Sequence, residues 1–320
     1  MRNHCCIKCE TDPSRFILMK TIAKPTVIII AGPTAVGKTS FAIDLAKELD
    51  TEIISADSRQ CYHEMRIGVA RPSEAELAAV KHHFIANASV TDELNAGYFE
   101  QYALSAAEKI FQKTPVVVMV GGTGLYIKAF CDGIDPMPVV PDAVRTRVMD
   151  GYANKGLAWL QKELSENDPG FWLVAERQNP QRLMRALEVL YATGQSIMVY
   201  RTAKKKKRDF NTIKIGLELP KDMLHNRIHQ RVDRMMEDGL LAEVKSLVPY
   251  RQYHSLQTVG YRELFDFIDG KCPLDEAVAN IKTNTRHYAK RQMTWFKKDQ
   301  EIKWFAADMI VPSAVSSLLT

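Results

Sequence analysis

Apolar residues recur along this chain in two rhythms. Thr26–Ala31 (TVIIIA) and Pro115–Val120 (PVVVMV) are continuous apolar runs of strand length, the pattern of strands buried on both faces of a parallel sheet. Glu52–Ser55 is a shorter run of the same kind, and Asn211–Leu219 alternates as a strand does. Between these runs the spacing turns helical. In Thr39–Leu49 the apolar positions are Phe41, Ile43, Leu45, Ala46 and Leu49, and Glu100–Gln112 is also helical. Strand, helix, strand, helix, strand in this order predicts a parallel α/β sheet with right-handed crossovers.

The texture changes near Asp132. Pro136, Pro138 and Pro141 mark a linker, and from there to Thr193 only helical patterns occur: Asp142–Asn154, Leu157–Leu164, Phe171–Glu176 and Gln181–Thr193. The last is punctuated by Asn179 as N-cap, Pro180 at the first position and Gly194 beyond the end. The expected organisation is an all-helical insertion at 136–204 within an α/β core made of 26–135 and 205–312. Residues 1–25 are read as a tail whose first eighteen residues are disordered or a start-site artefact. After the return strand come helices at Lys221–Glu237, Leu240–Leu247, Gly260–Ile268 and Leu274–Lys297.

Composition narrows the class. With 320 residues, 46% hydrophobic and 25% charged, the chain is an ordinary globular protein, which excludes wholesale disorder, collagen and coiled coil. Phe16–Met19 is too short an apolar run for a secretory leader, and no run reaches the ~20 residues of a membrane helix. Cys5, Cys6, Cys9, Cys61, Cys131 and Cys272 include one Cys6-x-x-Cys9 pair with no second pair to complete a zinc site. The expectation is a reduced, cytoplasmic protein with no membrane and no obligate protein partner, a monomer. His225 and His229 are four apart but lack the acidic residue of a zinc-binding helix, so no metal is expected there.

The chemistry concentrates at strand ends. Gly32-Pro33-Thr34-Ala35-Val36-Gly37-Lys38-Thr39 fits the phosphate-loop pattern G-x-x-x-x-G-K-[ST], between a buried strand and an amphipathic helix as the pattern requires. Its N–H groups and the helix N-terminus can converge on an anion, Lys38 adds a point charge, and the Thr39 hydroxyl is placed to ligate Mg²⁺. The motif specifies a polyphosphate, not a nucleoside triphosphate. Asp57 follows the second strand; it could hold Mg²⁺, act as a general base or cap a helix. Gly121-Gly122-Thr123-Gly124 follows the third long strand at the same edge. The net charge is +5, but the distribution matters more than the sum. Lys282–Lys298 carries Lys282, Arg286, Lys290, Arg291, Lys297 and Lys298 with no acid, interleaved with Tyr288, Trp295 and Phe296. Arg201–Arg208 adds six cations, and Arg182 and Arg185 sit one turn apart in the insertion. Three such segments favour an RNA partner.

Taken in order, these motifs resemble the tRNA dimethylallyltransferase (tRNA isopentenyltransferase) family, bacterial type, over residues 26–304. The resemblance is carried by Gly32–Thr39, Asp57-Ser58-Arg59-Gln60-Cys61-Tyr62, Gly121–Tyr126, Asn179–Glu188, Arg227–Arg231, Val259–Glu263 and Lys290–Phe296. It implies a P-loop NTPase-like α/β fold in which dimethylallyl diphosphate gives its prenyl group to the exocyclic N6 amine of the adenosine beside the tRNA anticodon, releasing pyrophosphate. It further implies that Thr34 and Arg231 hold the diphosphate and that Asp57 is the general base. Ser58, Gln60, Gly122, Thr123, Lys290 and Arg291 would contact tRNA, and Arg182 and Arg185 in the insertion would grip the anticodon stem. The chain departs from the family's usual Asp-Ile-Gly-Thr-Ala-Lys-Pro stretch with Arg66, Val69 and Arg71. Two alternatives use the same loop: an adenylate (AMP, ADP or ATP) isopentenyltransferase, which needs no anticodon grip, and a P-loop kinase, which wants a carboxylate where Gly121 and Gly122 stand.

Overall fold

The computed structural model describes residues 24–202 and 204–319, so nearly all of the 1–25 tail, with Cys5, Cys6 and Cys9, lies outside the described residues. In chain order the elements are β1 (Thr26–Ala31), α1 (Lys38–Glu48), β2 (Ile53–Ser55), α2 (Glu74–Ala79), β3 (His82–His83), α3 (Ala96–Phe111), β4 (Val116–Gly121), α4 (Gly124–Asp132), α5 (Asp142–Asn167), α6 (Pro169–Val174), α7 (Pro180–Thr193), α8 (Ile197–Tyr200), β5 (Asn211–Glu218), α9 (Lys221–Glu237), α10 (Leu240–Ser246), α11 (Tyr261–Ile268), α12 (Leu274–Phe296), β6 (Ile302–Ala306) and α13 (Pro312–Ser316).

Six strands form one parallel sheet in the order β3-β2-β4-β1-β5-β6. β1 lies between β4 and β5, with Thr26 in register with Val116 and Asn211, and its apolar run is buried throughout, as a strand covered on both faces must be. α1 packs its Phe41, Ile43, Leu45 and Leu49 side onto Ile28, Ile30, Val116 and Val118. The consequence for function is positional. β1 ends at Ala31, β2 at Ser55 and β4 at Gly121, so the loops that follow all open at the carboxyl edge of neighbouring strands, where such sheets bind ligands.

Three elements escape the hydrophobic pattern. β3 has two residues, both half-buried histidines; β6 is an edge strand with only Ile302 buried; and α2 buries nothing, being held at its start by a Ser73–Glu76 capping box.

Residues 132–206 form one compact unit and the remaining described residues another. The smaller unit is all helical. α5 bends at Gly156 (φ 70°), which is why its sequence reads as two shorter helices. Val148, Leu160, Leu164, Phe171, Leu183 and Leu187 share its core. Asn179 caps α7 by accepting the Arg182 N–H, and Gly194 ends it in the left-handed conformation.

The basic stretch Arg201–Arg208, whose six cations count toward an RNA partner in the sequence, is partly structural. In the larger unit, Arg208 pairs with buried Glu100 at 2.9 Å and donates to the Ala129, Phe130 and Cys131 carbonyls at the end of α4. In the smaller unit, Lys205 lies 3.4 Å from Asp132.

Candidate active site at the carboxyl edge of the sheet

The phosphate loop is wound as an anion cradle. Gly32 adopts φ 145°, and a Cβ there would lie 2.5 Å from the Leu217 carbonyl oxygen, so only glycine fits. Ala35 (φ 64°) and Gly37 (φ 105°) both turn left-handed, an alternation that directs successive N–H groups to one side. Gly37 then opens α1, whose first turn begins with Lys38 and Thr39. The Thr34 and Thr39 hydroxyls make no hydrogen bond among the described residues.

Lys38 folds back onto its own loop, donating from Nζ to the Pro33 carbonyl at 2.6 Å. Its pKa is pulled down to about 7, first by burial and then by the charge of Arg231, with Asp57 opposing. Arg231 is desolvated as well, which lowers its pKa, and again Asp57 opposes. Its guanidinium makes no hydrogen bond among the described residues. Arg227, one turn earlier on α9, donates from Nη1 to the Val36 carbonyl at 3.2 Å. Two desolvated cations therefore meet at the mouth of the loop, with Asp57 close enough to act on both.

Asp57 is held by its own turn. Its Oδ1 accepts the N–H groups of Arg59 at 2.8 Å and Gln60 at 3.3 Å, while Oδ2 accepts nothing among the described residues. No helix begins here, so the capping alternative gives way to a short Asx turn that leaves one carboxylate oxygen for chemistry. Ser58 and Thr123 lock this turn to the end of β4: the Ser58 N–H donates to Thr123 Oγ1 at 3.1 Å, and the Thr123 N–H to the Ala56 carbonyl at 3.2 Å. Behind the turn, Cys61 is buried and its thiol is pushed up to about 12, by burial first and by Asp57, which makes it unreactive.

Gln60 uses its amide inside the protein, donating to the Val69 and Ala70 carbonyls at 3.3 and 3.0 Å. The stretch it holds contains the departures from the family pattern. That stretch is fastened by its backbone: the Glu243 carboxylate accepts the N–H groups of Arg66, Ile67 and Gly68 at 3.1, 2.8 and 3.0 Å, and the Tyr261 hydroxyl at 2.6 Å. Arg66 pairs with exposed Glu74, and Arg71 donates to the His63 carbonyl. The backbone fastening does not depend on the replaced side chains, which is how the stretch keeps its form with Arg66, Val69 and Arg71 in place.

α12 supplies the far wall. Gln292, buried, bridges Thr34 and Gly122 through its amide. Tyr288 lies beside it, its phenol pushed up to about 12 by burial and by the nearby Asp57 charge. The Lys290–Phe296 motif contains Gln292 but gives it no role, although a polar residue between Ala289 and Phe296 on the buried face of a helix is itself a signal. Lys290 and Arg291 are exposed on the same helix, and Arg291 lies over the Tyr288 ring at 5.7 Å. Other cations of the run are paired: Lys282 with Asp233 and Lys297 with Glu218, at 2.6 and 2.7 Å. In the helical unit, Arg182 pairs with Glu176 and Arg185 with Glu188. Among the described residues no group of three His, Cys, Asp or Glu could hold a metal ion. A cleft of about 290 Å³ lined by Arg262, Glu263, Asp266 and Asn284 among others contains none of the groups above.

A profile of the IPP transferase family matches residues 60–299. The chain is 48% identical over 282 residues to a tRNA dimethylallyltransferase of Christiangramia forsetii, covering 88% of this chain and 93% of that one. It is 44% identical to tRNA dimethylallyltransferase 1 of Bacteroides thetaiotaomicron, covering 88% and 91%. Among solved structures, the tRNA isopentenylpyrophosphate transferase of Bacillus halodurans superposes with a TM-score of 0.67 at 34% identity, over 92% of this chain and 95% of that one. A eukaryotic dimethylallyltransferase acting on tRNA superposes with a TM-score of 0.70 at 26% identity, over 88% and 74%.

Proposed function

The chain belongs to the IPP transferase family, the tRNA dimethylallyltransferases, and we propose that its strand-end site supplies the groups for prenyl transfer, with Lys38, Arg231 and the loop N–H groups on the diphosphate and Asp57 on the attacking amine. The N6 amine of the adenosine beside the anticodon attacks the allylic carbon of dimethylallyl diphosphate. The new C–N bond forms as the C–O bond breaks, pyrophosphate leaves with the electron pair, and Asp57 takes the amine proton. An aromatic amine is a weak nucleophile, so removing its proton during attack helps. Charge builds on the leaving diphosphate, where cations already in place cost no reorganisation.

The observation that carries this reading is the meeting of two desolvated cations, Lys38 and Arg231, at a phosphate loop with a carboxylate beside them. Mg²⁺ also fits: it is bound typically by one or two protein oxygens plus phosphate oxygens, and the Thr39 hydroxyl would serve as its protein ligand, the ion lowering the negative charge of the diphosphate. Thr34, through its hydroxyl, would add a further bond to the diphosphate. Ser58, Gly122 and Thr123 sit beside Asp57 and would face the base, which must leave its stack to reach it. Gln60 would act by shaping that turn. Arg182 and Arg185 would meet the anticodon stem from the helical unit, their glutamate partners exchanged for phosphates. No described helix is long and apolar enough to cross a membrane; we place the enzyme in the cytoplasm, with its tRNA substrate.

Labelled dimethylallyl diphosphate offered to unmodified tRNA and to AMP in parallel, with Mg²⁺, tests the reading. Label in tRNA alone is expected. Label in AMP alone points to the adenylate branch, and phosphate transfer from ATP to a kinase. The exposed α12 cations carry their own prediction. Replacing Lys290 and Arg291 together with alanine should lower tRNA affinity at low salt and reduce the slope of log K against log salt by about 2, one for each phosphate no longer neutralised. Filter binding across a salt series checks this, and an unchanged slope would remove the pair from the tRNA interface.

A further inference from the structure

Gln292 is 6% exposed, and a buried amide needs partners at both ends. It finds them on two different loops. Oε1 accepts the Thr34 N–H of the phosphate loop at 2.8 Å, and Nε2 donates to the Gly122 carbonyl at 3.0 Å. A Cβ at position 122 would lie 2.2 Å from that Nε2, so glycine is what admits the amide. From Gly122 the connection continues through Thr123 to Ser58 and the Asp57 turn. One side chain thus joins the loop that would carry the prenyl diphosphate to the turn that would carry the base.

We propose that Gln292 is a positioning residue for the reaction: it sets the spacing between diphosphate and general base and commits the Thr34 N–H to the protein, leaving the Thr34 hydroxyl to the substrate. This rests on the prenyl-transfer reading above. The role demands an acceptor at one end and a donor at the other. Glutamate keeps the shape. Ionised, it offers two acceptors, and one oxygen opposes the Gly122 carbonyl. Protonated, it recovers the pattern, its C=O accepting from Thr34 and its O–H donating to Gly122. Methionine keeps the volume and offers neither bond.

The test is kcat and KM for dimethylallyl diphosphate and for tRNA across the pH range, for wild type, Gln292→Glu and Gln292→Met, with melting temperatures to confirm folding. At alkaline pH both variants should lose on the order of a hundredfold in kcat, the cost of a misplacement of about 1 Å, with KM values nearly unchanged. As pH falls, the ratio of Gln292→Glu to wild-type kcat should climb by up to about tenfold per pH unit, as one proton returns. The ratio for Gln292→Met should stay flat. A flat ratio for Gln292→Glu, or wild-type kcat in Gln292→Met, overturns the proposal while leaving the function intact. Absence of transfer to tRNA by the wild type refutes the function instead, and the control shows it directly.

Discussion

Asp57→Asn should lower kcat for prenyl transfer by about 10²- to 10⁴-fold while tRNA affinity stays within about threefold of wild type. The substitution is chosen from the geometry. Oδ1 of Asp57 accepts the Arg59 and Gln60 N–H groups and shapes the turn, whereas Oδ2 accepts nothing among the described residues and is the oxygen that the proposed mechanism would use for the amine proton. Asparagine can keep its carbonyl on those two N–H groups and present its NH₂ where Oδ2 stood. The turn survives and the base is lost. Asp57→Ala removes both, so it should match the asparagine variant in lost turnover and add a fall in tRNA affinity as the Arg59 and Gln60 N–H groups lose their anchor and the turn loosens. Single-turnover transfer with saturating substrates, beside filter binding, separates the two effects. Undiminished turnover in Asp57→Asn would take the base role away from this residue. Equal affinity loss in both variants would give the carboxylate a direct hold on the RNA.

That experiment depends on a division of labour that the sequence shows only in part. A carboxylate after a buried strand, beside a phosphate loop, places Asp57 at the reactive edge because parallel strands end together and ligands bind there. The same residue pattern cannot tell a base from a cap, since both use a short acidic side chain at a chain reversal; the fold removes the cap, because no helix begins there, and sets Oδ1, which holds the turn, apart from Oδ2. β1, β4, β5 and the long helices were legible because each buries a continuous or periodic apolar surface. β3, β6 and α2 were not, because they bury little and depend on neighbours or caps.

Charge was the least legible feature, because a cation's partner is set by tertiary contacts. Arg208, Lys282 and Lys297 look like their exposed neighbours in sequence, yet each is committed to an acid from a distant segment: Glu100, Asp233 and Glu218. The same holds for Glu243, which reads as an ordinary helix-surface acid. It lies more than 170 residues from the three backbone N–H groups it fastens. Local spacing predicts neighbours three or four residues apart; it carries no information about pairs closed by the fold.

Binding of the prenyl diphosphate should take up a proton, and Lys38 is the group that supplies the effect. Its pKa lies at about 7 in the free protein, below the ordinary lysine value of 10.5, because burial and Arg231 disfavour the ammonium. A diphosphate set against it restores the charged form and raises the pKa. Above about pH 7 the free site is therefore partly neutral and must gain a proton to bind, so affinity should fall with rising pH by up to about tenfold per unit. Folding stability shows the opposite sign. Between about 7 and 10.5 the unfolded chain binds the proton that the native site has lost, so this residue makes the ligand-free protein more stable as pH rises through that window, and bound diphosphate cancels the gain. Calorimetry near pH 8 in buffers of different ionisation enthalpy should find close to one proton taken up. Lys38→Met should abolish that uptake, exposing only the ligand's own titration. It should also weaken binding by about ten- to a hundredfold, the worth of one hydrogen bond to a charged group at ~1.5–3 kcal/mol. Proton uptake that persists in Lys38→Met would assign the coupling to another group and leave Lys38 charged throughout. The two repelling cations make the empty site poorer than its surroundings and the occupied one better, which is the condition for binding energy to be gained where charge develops, on the departing pyrophosphate.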